Sequence, residues 1–343
     1  MSERGRSYAE KDVLITGGAG FIGQRLVRRL AGDGARVVVL GRGAASIAGA
    51  DWVCGDVRDD SAVSALISRR FDHIFHLAAY SGQAPVFADH EQSLTTNCLG
   101  LLNVLDAVRR LSPETVICFP SSRLVYGRTQ SLPVSEGHPT APLSLYGIHK
   151  RTGEEYCAYY GARWGLRTVA LRLSNPYGPH SVATHNRYNI ANWMIDGLLR
   201  GEQVSIFGRG EQLRDYIYVD DAVEAMAAAA ADPRAHGGIY NIGSGAGLAL
   251  IDFVRMAIAA AGSGSLRFEP WPVEFLQVET GDYAADISKI RDELGWAPRV
   301  SLRTGIARTI AAQRRSLRIW RKTAAPGMLA SNEDGSADLE AAA

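Results

Sequence analysis

Near the start of the chain, the short apolar run Val13-Leu14-Ile15-Thr16 leads directly into Gly17-Gly18-Ala19-Gly20-Phe21-Ile22-Gly23. A run this brief, stopped by paired glycines, is too short for a helix and predicts a buried strand. Beyond the glycines, apolar residues at 22, 26, 27 and 30 recur at helical spacing. A strand that turns through glycines into a helix gathers backbone N–H groups at one point, and the helix dipole adds positive potential there. Gly17, Gly20 and Gly23 have a Gly-x-x-Gly-x-x-Gly spacing close to the dinucleotide fingerprint, and a pyrophosphate suits that geometry. Such a unit needs a sheet to sit in, so the rest of the chain must bring further strands alongside it.

The first half of the chain supplies that sheet. Further strands are predicted at 37–40, 52–54, 74–79, 116–119 and 168–173, with helices at 61–68, 94–111 and 145–164. This alternation predicts an α/β fold, a Rossmann-type doubly wound parallel sheet with right-handed crossovers. Ligands of such sheets sit outside the carboxyl ends of the strands. After Asn175 the pattern turns irregular. A helix is expected near 193–200, a strand at 204–207, an alanine-rich helix at 221–231 and a strand at 239–242. Residues 1–174 are therefore assigned mainly to a dinucleotide-binding domain and 175–320 mainly to a smaller C-terminal substrate-binding lobe. The strands near 204–207 and 239–242 are expected to interleave between the two. Residues 1–10 read as a loose polar lead-in, and 324–343, built of Ala, Gly, Ser and acidic residues, as a disordered tail.

The segment Ser144-Leu145-Tyr146-Gly147-Ile148-His149-Lys150 places Tyr146 and Lys150 four residues apart on a predicted helix. That spacing puts them about 40° apart around the axis, on one face. A phenol ordinarily loses its proton near pH ~10. An ammonium beside it favours the phenolate, so Tyr146 could exchange a proton nearer neutrality. The same pair on an exposed helix would only snorkel into water. The glycine turn and the sheet built around the pair favour the chemical reading.

Composition narrows the remaining classes. A formal net charge of +1, with 46% hydrophobic and 21% charged residues, leaves no electrostatic footprint for nucleic acid or an anionic membrane surface. The basic cluster at 314–322 is interleaved with Leu317, Ile319 and Trp320 and reads as a solvated last helix. No apolar run approaches the ~20 residues of a membrane span, and the N-terminus lacks a signal-peptide core. Cys54, Cys98, Cys118 and Cys157 are far apart without metal-ligand spacing, and read as reduced, buried thiols. The expectation is a cytoplasmic protein without a metal, a membrane or a nucleic-acid partner.

Ordered blocks extend from Val13 to Pro298. They are Thr-Gly-Gly-Ala-Gly-Phe-Ile-Gly (16–23), Gly-Asp-Val (55–57), His-Leu-Ala-Ala (76–79) and Asn97 before Gly100. Ser-Ser-Arg-Leu-Val-Tyr-Gly (121–127), the Tyr146/Lys150 pair and Ser-Asn-Pro-Tyr-Gly-Pro (174–179) come next. Arg-Asp-Tyr-Ile-Tyr-Val-Asp-Asp (214–221) and Tyr-Asn-Ile-Gly-Ser-Gly (240–245) complete the set. In these blocks the chain closely resembles the extended short-chain dehydrogenase/reductases that act on nucleotide sugars, in their UDP-galactose 4-epimerase-like branch.

The resemblance implies an NAD or NADP cofactor, a nucleotide-diphosphate sugar as substrate, and a homodimer joined through the helices near 94–111 and 145–164. It also implies roles. Gly17, Gly20 and Gly23 would hold the pyrophosphate, with Phe21 and Ile22 donating backbone N–H groups. Asp56 and Val57 would meet the adenine, while Leu77, Ala78 and Ala79 would line the cofactor. Asn97 would face the cofactor or only brace backbone. Tyr146 would be the acid/base, Lys150 would hold the nicotinamide ribose and tune Tyr146, and Ser122 would hydrogen-bond the reacting sugar oxygen. Asn175 would touch the sugar or its phosphate, and Arg214 would pair with the diphosphate. His76 reads as a strand-end hydrogen bonder and Asp220-Asp221 as a helix cap.

Four departures from the family pattern matter. NAD-preferring members usually carry an acidic residue at the end of the second strand, for the ribose 2′-hydroxyl. Here Gly41 and Arg42 stand there. Glycine leaves room for a 2′-phosphate and arginine neutralises it, which points to NADP; Arg42 stacked on the adenine of NAD is the alternative. Nucleotide-sugar 4,6-dehydratases place Asp-Glu after the catalytic hydroxyl residue, and related decarboxylases keep an acid at the second of those positions. Arg123-Leu124 occupy both places, which disfavours either reaction. Arg123 could instead recognise a carboxylate or other polar group on the sugar, or reach a surface carboxylate. The usual Arg-Pro-Gly-Asp appears as Glu279-Thr280-Gly281-Asp282, which leaves the nucleotide grip to Arg214 and other groups.

The expected activity is NAD(P)-dependent 4-epimerisation through a keto intermediate, by transient hydride abstraction at sugar C4. The same Ser122, Tyr146 and Lys150 would serve an NADPH-dependent 4-keto-sugar reductase. A non-catalytic dinucleotide-sensing protein is the remaining alternative.

Overall fold

The computed structural model describes residues 7–43, 46–81, 89–180 and 189–323, so the expectation for 324–343 falls outside the described residues. The chain begins with β1 (Asp12–Thr16), α1 (Phe21–Gly32), β2 (Arg36–Gly41), β3 (Asp51–Cys54), α2 (Asp60–Ile67), β4 (His73–His76) and α3 (His90–Leu94). Next come α4 (Gly100–Leu111), β5 (Val116–Ser122), α5 (Leu145–Trp164), β6 (Arg167–Leu173), β7 (Asn175–Tyr177) and α6 (Ile190–Leu199). They are followed by β8 (Gln203–Phe207), β9 (Leu213–Tyr218), α7 (Val219–Ala231), β10 (Ile239–Ile242), β11 (Gly247–Ala249) and α8 (Leu250–Ala261). The last elements are β12 (Ser265–Glu269), α9 (Val273–Gln277), α10 (Ser288–Leu294) and α11 (Leu302–Thr323).

Seven parallel strands form the central sheet in the order β10-β6-β5-β4-β1-β2-β3. Chain order reverses between β1 and β4, and a doubly wound sheet binds its ligand at that switch point. Both faces of the sheet are covered, which is why the strands are continuously apolar rather than alternating. Val13, Ile15, Val39 and Phe75 pack on one face with α1 and α7. Leu14, Val38, Ile74 and Ile117 pack on the other with α2, α4 and α5.

Two smaller sheets, β11-β9-β7 and β12-β8, belong to a separate apolar cluster with α6 and α8. Of the two late strands read as interleaving, β10 lies at the edge of the central sheet and β8 pairs with β12. Only alternate residues of β8 are buried, as suits a strand covered on one face, whereas Tyr240, Asn241 and Ile242 of β10 are all buried.

Four local expectations are corrected. The lead-in is anchored at Tyr8, which is fully buried against Phe75 and donates its hydroxyl to Ala227 O at 2.8 Å. The helix predicted over 94–111 is interrupted by a π-helical turn at Thr95–Leu99, between α3 and α4. Asp220 and Asp221 do not cap α7 through their side chains. Asp220 lies 3.8 Å from the Arg25 guanidinium, and Asp221 accepts the N–H of Val300 at 2.9 Å. Cys98, Cys118 and Cys157 are buried, but Cys54 is exposed, because it ends the edge strand β3. Among the described residues, no helix is long and apolar enough to cross a membrane.

Candidate active site

The glycine turn joins β1 to α1 at the switch point. Gly17 has φ +70°, and a Cβ there would lie 2.7 Å from Ala78 N, so only glycine lets the turn rest against the end of β4. Gly20 is the N-cap of α1, whose first turn contains no acidic residue. The N–H groups of Phe21, Ile22 and Gly23 and the dipole behind them therefore meet no competing carboxylate from their own turn. These residues fit the pyrophosphate of a dinucleotide.

At the end of β2, the space where an acidic side chain would stand is filled. A Cβ at Gly41 would lie 2.4 Å from Trp52 Cη2 of β3, and Trp52 Nε1 is fixed by donating to Gly43 O at 2.9 Å. Arg42 is exposed, within electrostatic reach of Asp56. Asp56 is held below the usual carboxylate range, mainly by hydrogen bonds from Arg58, whose Nη2 lies 2.8 Å away. Val57 is buried, and Val57 O accepts from Asn103 Nδ2 at 2.9 Å.

Thr16 Oγ1 accepts the N–H of Ala78 at 3.1 Å and lies 3.1 Å from His76 Nδ1, which fixes the exit of β4 where Leu77, Ala78 and Ala79 follow. Asn97, on the π-helical turn, spends its side chain on Tyr80. Its Oδ1 accepts from Tyr80 N at 2.8 Å and its Nδ2 donates to Tyr80 O at 2.9 Å. In this geometry Asn97 braces the wall beside Ala79.

Helix α5 is stopped and started by strong local signals. Ser144 caps it by accepting from Gly147 N at 3.2 Å, and Gly165 ends it at φ +70°. Its buried side chains then tie it to β5. Lys150 Nζ donates to Pro120 O at 2.6 Å, and one turn on Glu154 accepts from Ser121 Oγ. These bonds hold the start of α5 at the carboxyl end of β5, where Ser122 sits.

Lys150 Nζ lies 5.6 Å from the centre of the Tyr146 ring and 4.7 Å from that of Phe119. Burial raises Tyr146 to about 12 and lowers Lys150 to about 8. In the protein alone desolvation is what shifts Tyr146, in the direction opposite to the expected lowering by its neighbour, and it favours the neutral form of both groups. Ser122 Oγ accepts the N–H of Leu124 at 3.2 Å, which leaves its own proton to donate.

Sequence reasoning missed the support beneath this constellation. Glu154 and Arg172 are both about 3% exposed. Arg172 donates to Glu154 through Nε at 2.9 Å and through Nη2 at 2.7 Å. The guanidinium also covers the Tyr126 ring at 4.8 Å and donates to Glu136 O at 3.1 Å. A Glu one turn beyond Lys150 was the available signal.

On the facing wall, Arg123 is buried and does not reach a surface carboxylate. Its Nε donates to Asn175 Oδ1 at 3.0 Å and its Nη1 to Thr280 Oγ1 at 2.9 Å. Burial, with Arg214 nearby, lowers its pKa to about 10. Arg214 is already engaged. Nη2 lies 2.6 and 2.8 Å from the two Glu279 carboxylate oxygens, and Nη1 donates to Leu213 O and Gly281 O. The bidentate phosphate grip expected of Arg214 is therefore not available in this arrangement, because among the described residues both terminal nitrogens are already engaged. The glutamate that replaces the family's arginine at 279 is what occupies it. Among the described residues, no cluster of three or more His, Cys, Asp or Glu could hold a metal ion.

Known proteins resemble this chain in sequence and in fold. Residues 13–243 match the model of the NAD dependent epimerase/dehydratase family. The chain is 33% identical over 311 residues to a UDP-glucose 4-epimerase of Mycolicibacterium smegmatis, covering 87% of this chain and 96% of the relative. It is 30% identical over 334 residues to a dTDP-glucose 4,6-dehydratase of Streptomyces griseus, covering 92% and 98%. The solved UDP-glucose 4-epimerase of Thermus thermophilus in complex with NAD superposes with a TM-score of 0.80 at 30% identity, covering 88% of this chain and 99% of that one.

Proposed function

This chain belongs to the NAD dependent epimerase/dehydratase family, and within it we propose that the protein is a nucleotide-sugar 4-epimerase. The observation that carries this reading is the tie between α5 and β5, which brings Tyr146, Lys150 and Ser122 to one end of the sheet. The dinucleotide, when bound, supplies the hydride acceptor and a positive charge that favours the Tyr146 phenolate. Tyr146 Oη then takes the proton of a sugar hydroxyl, and Ser122 Oγ–H steadies the oxygen as it becomes a carbonyl. Lys150 adds a second cation, and its N–H donors beyond the bond to Pro120 O are left for a ribose. Rotation of the keto sugar before hydride returns inverts C4 with no net redox change.

Dehydration and decarboxylation need an acid beside Ser122, and Arg123 and Leu124 provide none. Stoichiometric reduction by NADPH would use the same residues, but the named relatives favour internal return of the hydride.

For the cofactor we propose NADP over NAD. Gly41 under Trp52 leaves no carboxylate to repel a 2′-phosphate, and Arg42 is exposed beside the site. We also propose a cytoplasmic homodimer. Leu94, Leu99, Leu145, Ile148, Tyr159 and Trp164 expose 37–57% of their surfaces along the α3–α5 face, which a second copy would cover.

The test is incubation with UDP-, dTDP-, GDP- and CDP-sugars, with C4 configuration read by NMR. Inversion without consumption of added NADPH supports the reading; NADPH consumed one-for-one with sugar would replace it by a reductase.

A further inference from the structure

Arg123 is only 6% exposed, yet among the described residues every side-chain partner it has is neutral: Asn175, Thr280 and the Tyr283 ring 5.4 Å away. The carboxylate in this wall that could answer it, Glu279, is bidentate on Arg214 and also accepts the N–H of Gly281 at 2.8 Å. Asp215 is buried behind it and is saturated by Ser244 N, Ser244 Oγ, Gly245 N and Ala285 N. Two guanidiniums thus share one available carboxylate, and a buried cation without a counter-ion is costly unless something else supplies the charge.

A further donor waits beside it. The hydroxyl of Tyr216 is buried with no hydrogen-bond partner among the described residues, and it lies within electrostatic reach of Arg123. Arg123 follows Ser122 directly at the end of β5, and Asn175, which orients its Nε, opens β7. The surplus charge is therefore carried by the residue that directly follows the one proposed to hold the reacting oxygen.

We propose that Arg123 is the receptor for a carboxylate carried by the sugar, so that the preferred substrate is a nucleoside-diphosphate uronic acid. This rests on the 4-epimerase reading of the site. In a hexuronic acid the carboxylate hangs from C5, the carbon next to the reacting C4. A side chain one residue beyond Ser122 is suited to meet it. Asn175 and Thr280 hold the guanidinium fork in place, and its remaining N–H donors, with the Tyr216 hydroxyl, take the carboxylate oxygens.

The test is calorimetric binding of UDP-glucuronic acid, UDP-glucose and UDP to the cofactor-loaded protein and to Arg123→Gln and Arg123→Lys, with turnover of both sugars read by NMR. The wild type is expected to bind UDP-glucuronic acid about tenfold or more tighter than UDP-glucose, a comparison that needs no variant to fold. Arg123→Gln should lose about 30-fold in affinity for UDP-glucuronic acid and less than about threefold for UDP-glucose. Arg123→Lys should retain part of the preference. Equal losses on the two sugars would overturn carboxylate recognition, and an equal loss on UDP alone would assign Arg123 to the diphosphate instead. Inversion of UDP-glucose with no preference for the acid would overturn this proposal and leave the epimerase reading standing. Arg123-dependent binding of the acid without inversion would support it and overturn that reading.

Discussion

Lys150 and Pro120 are joined by a 2.6 Å hydrogen bond from Nζ to the carbonyl oxygen, and this bond ties the helix of Tyr146 to the strand that ends in Ser122. Lys150→Met should lower kcat by about 10²–10⁴, the usual span for a positioned acid/base system. Lys150→Arg should rescue poorly, because the larger planar guanidinium cannot fit the buried space in which the compact ammonium bonds Pro120 O. Single-turnover reduction of bound cofactor by sugar measures the loss, and a Met variant within threefold of wild type would remove Lys150 from the mechanism.

Beneath that bond, Glu154 and Arg172 neutralise each other in the core. Breaking such a pair leaves one charge buried and costs about 3–5 kcal/mol. Glu154→Gln should therefore show a clearly lower urea midpoint, and the double variant Glu154→Met/Arg172→Met should lose less than the two single losses added together. Additive losses would mean that the two charges do not stabilise one another.

Buried histidines make stability depend on pH. Burial lowers His73 to about 4 and His76 to about 3, from an unfolded value of 6.5. Between those limits the unfolded chain binds protons that the native protein refuses, so stability is full above about 6.5 and falls as pH drops. The two groups together should cost about 3–4 kcal/mol between pH 7 and pH 5. Urea titrations at the two pH values measure it, and His76→Asn should flatten the slope; equal stabilities would contradict the burial of both rings.

Because the Trp52 indole occupies the space above Gly41, Gly41→Asp alone should damage cofactor binding of both kinds. Gly41→Asp with Trp52→Ala makes room for the carboxylate and should move the NADP-to-NAD affinity ratio about tenfold or more towards NAD. Arg42→Glu should weaken NADP alone. Fluorescence titration with the two dinucleotides distinguishes these outcomes, and an Arg42→Glu variant that loses NAD and NADP equally would argue for adenine stacking.

Much of this architecture was legible because local signals and global fold agree. The glycine turn after β1, the apolar strands and the Tyr146/Lys150 spacing each state in sequence what the fold later requires. Contacts between residues far apart in the chain were not legible. Nothing near Gly41 announces that Trp52 will lie over it, and nothing near Arg214 announces Glu279 as its partner 65 residues on. Tyr8 reads as part of a polar lead-in until α7 supplies an acceptor 219 residues away. Arg123 is the mixed case: its type and place beside Ser122 were plain, but its neutral surroundings depend on β7 and the 280–283 segment folding back.

The central claim is that the Tyr146 hydroxyl passes the proton while hydride moves at C4. The most direct measurement is single-turnover reduction of bound cofactor, with a UDP-sugar that the wild type inverts, in wild type and Tyr146→Phe. The variant is expected to bind the sugar within about threefold of wild type but to reduce cofactor at least about a hundredfold more slowly. Reduction at the wild-type rate in Tyr146→Phe would contradict that role.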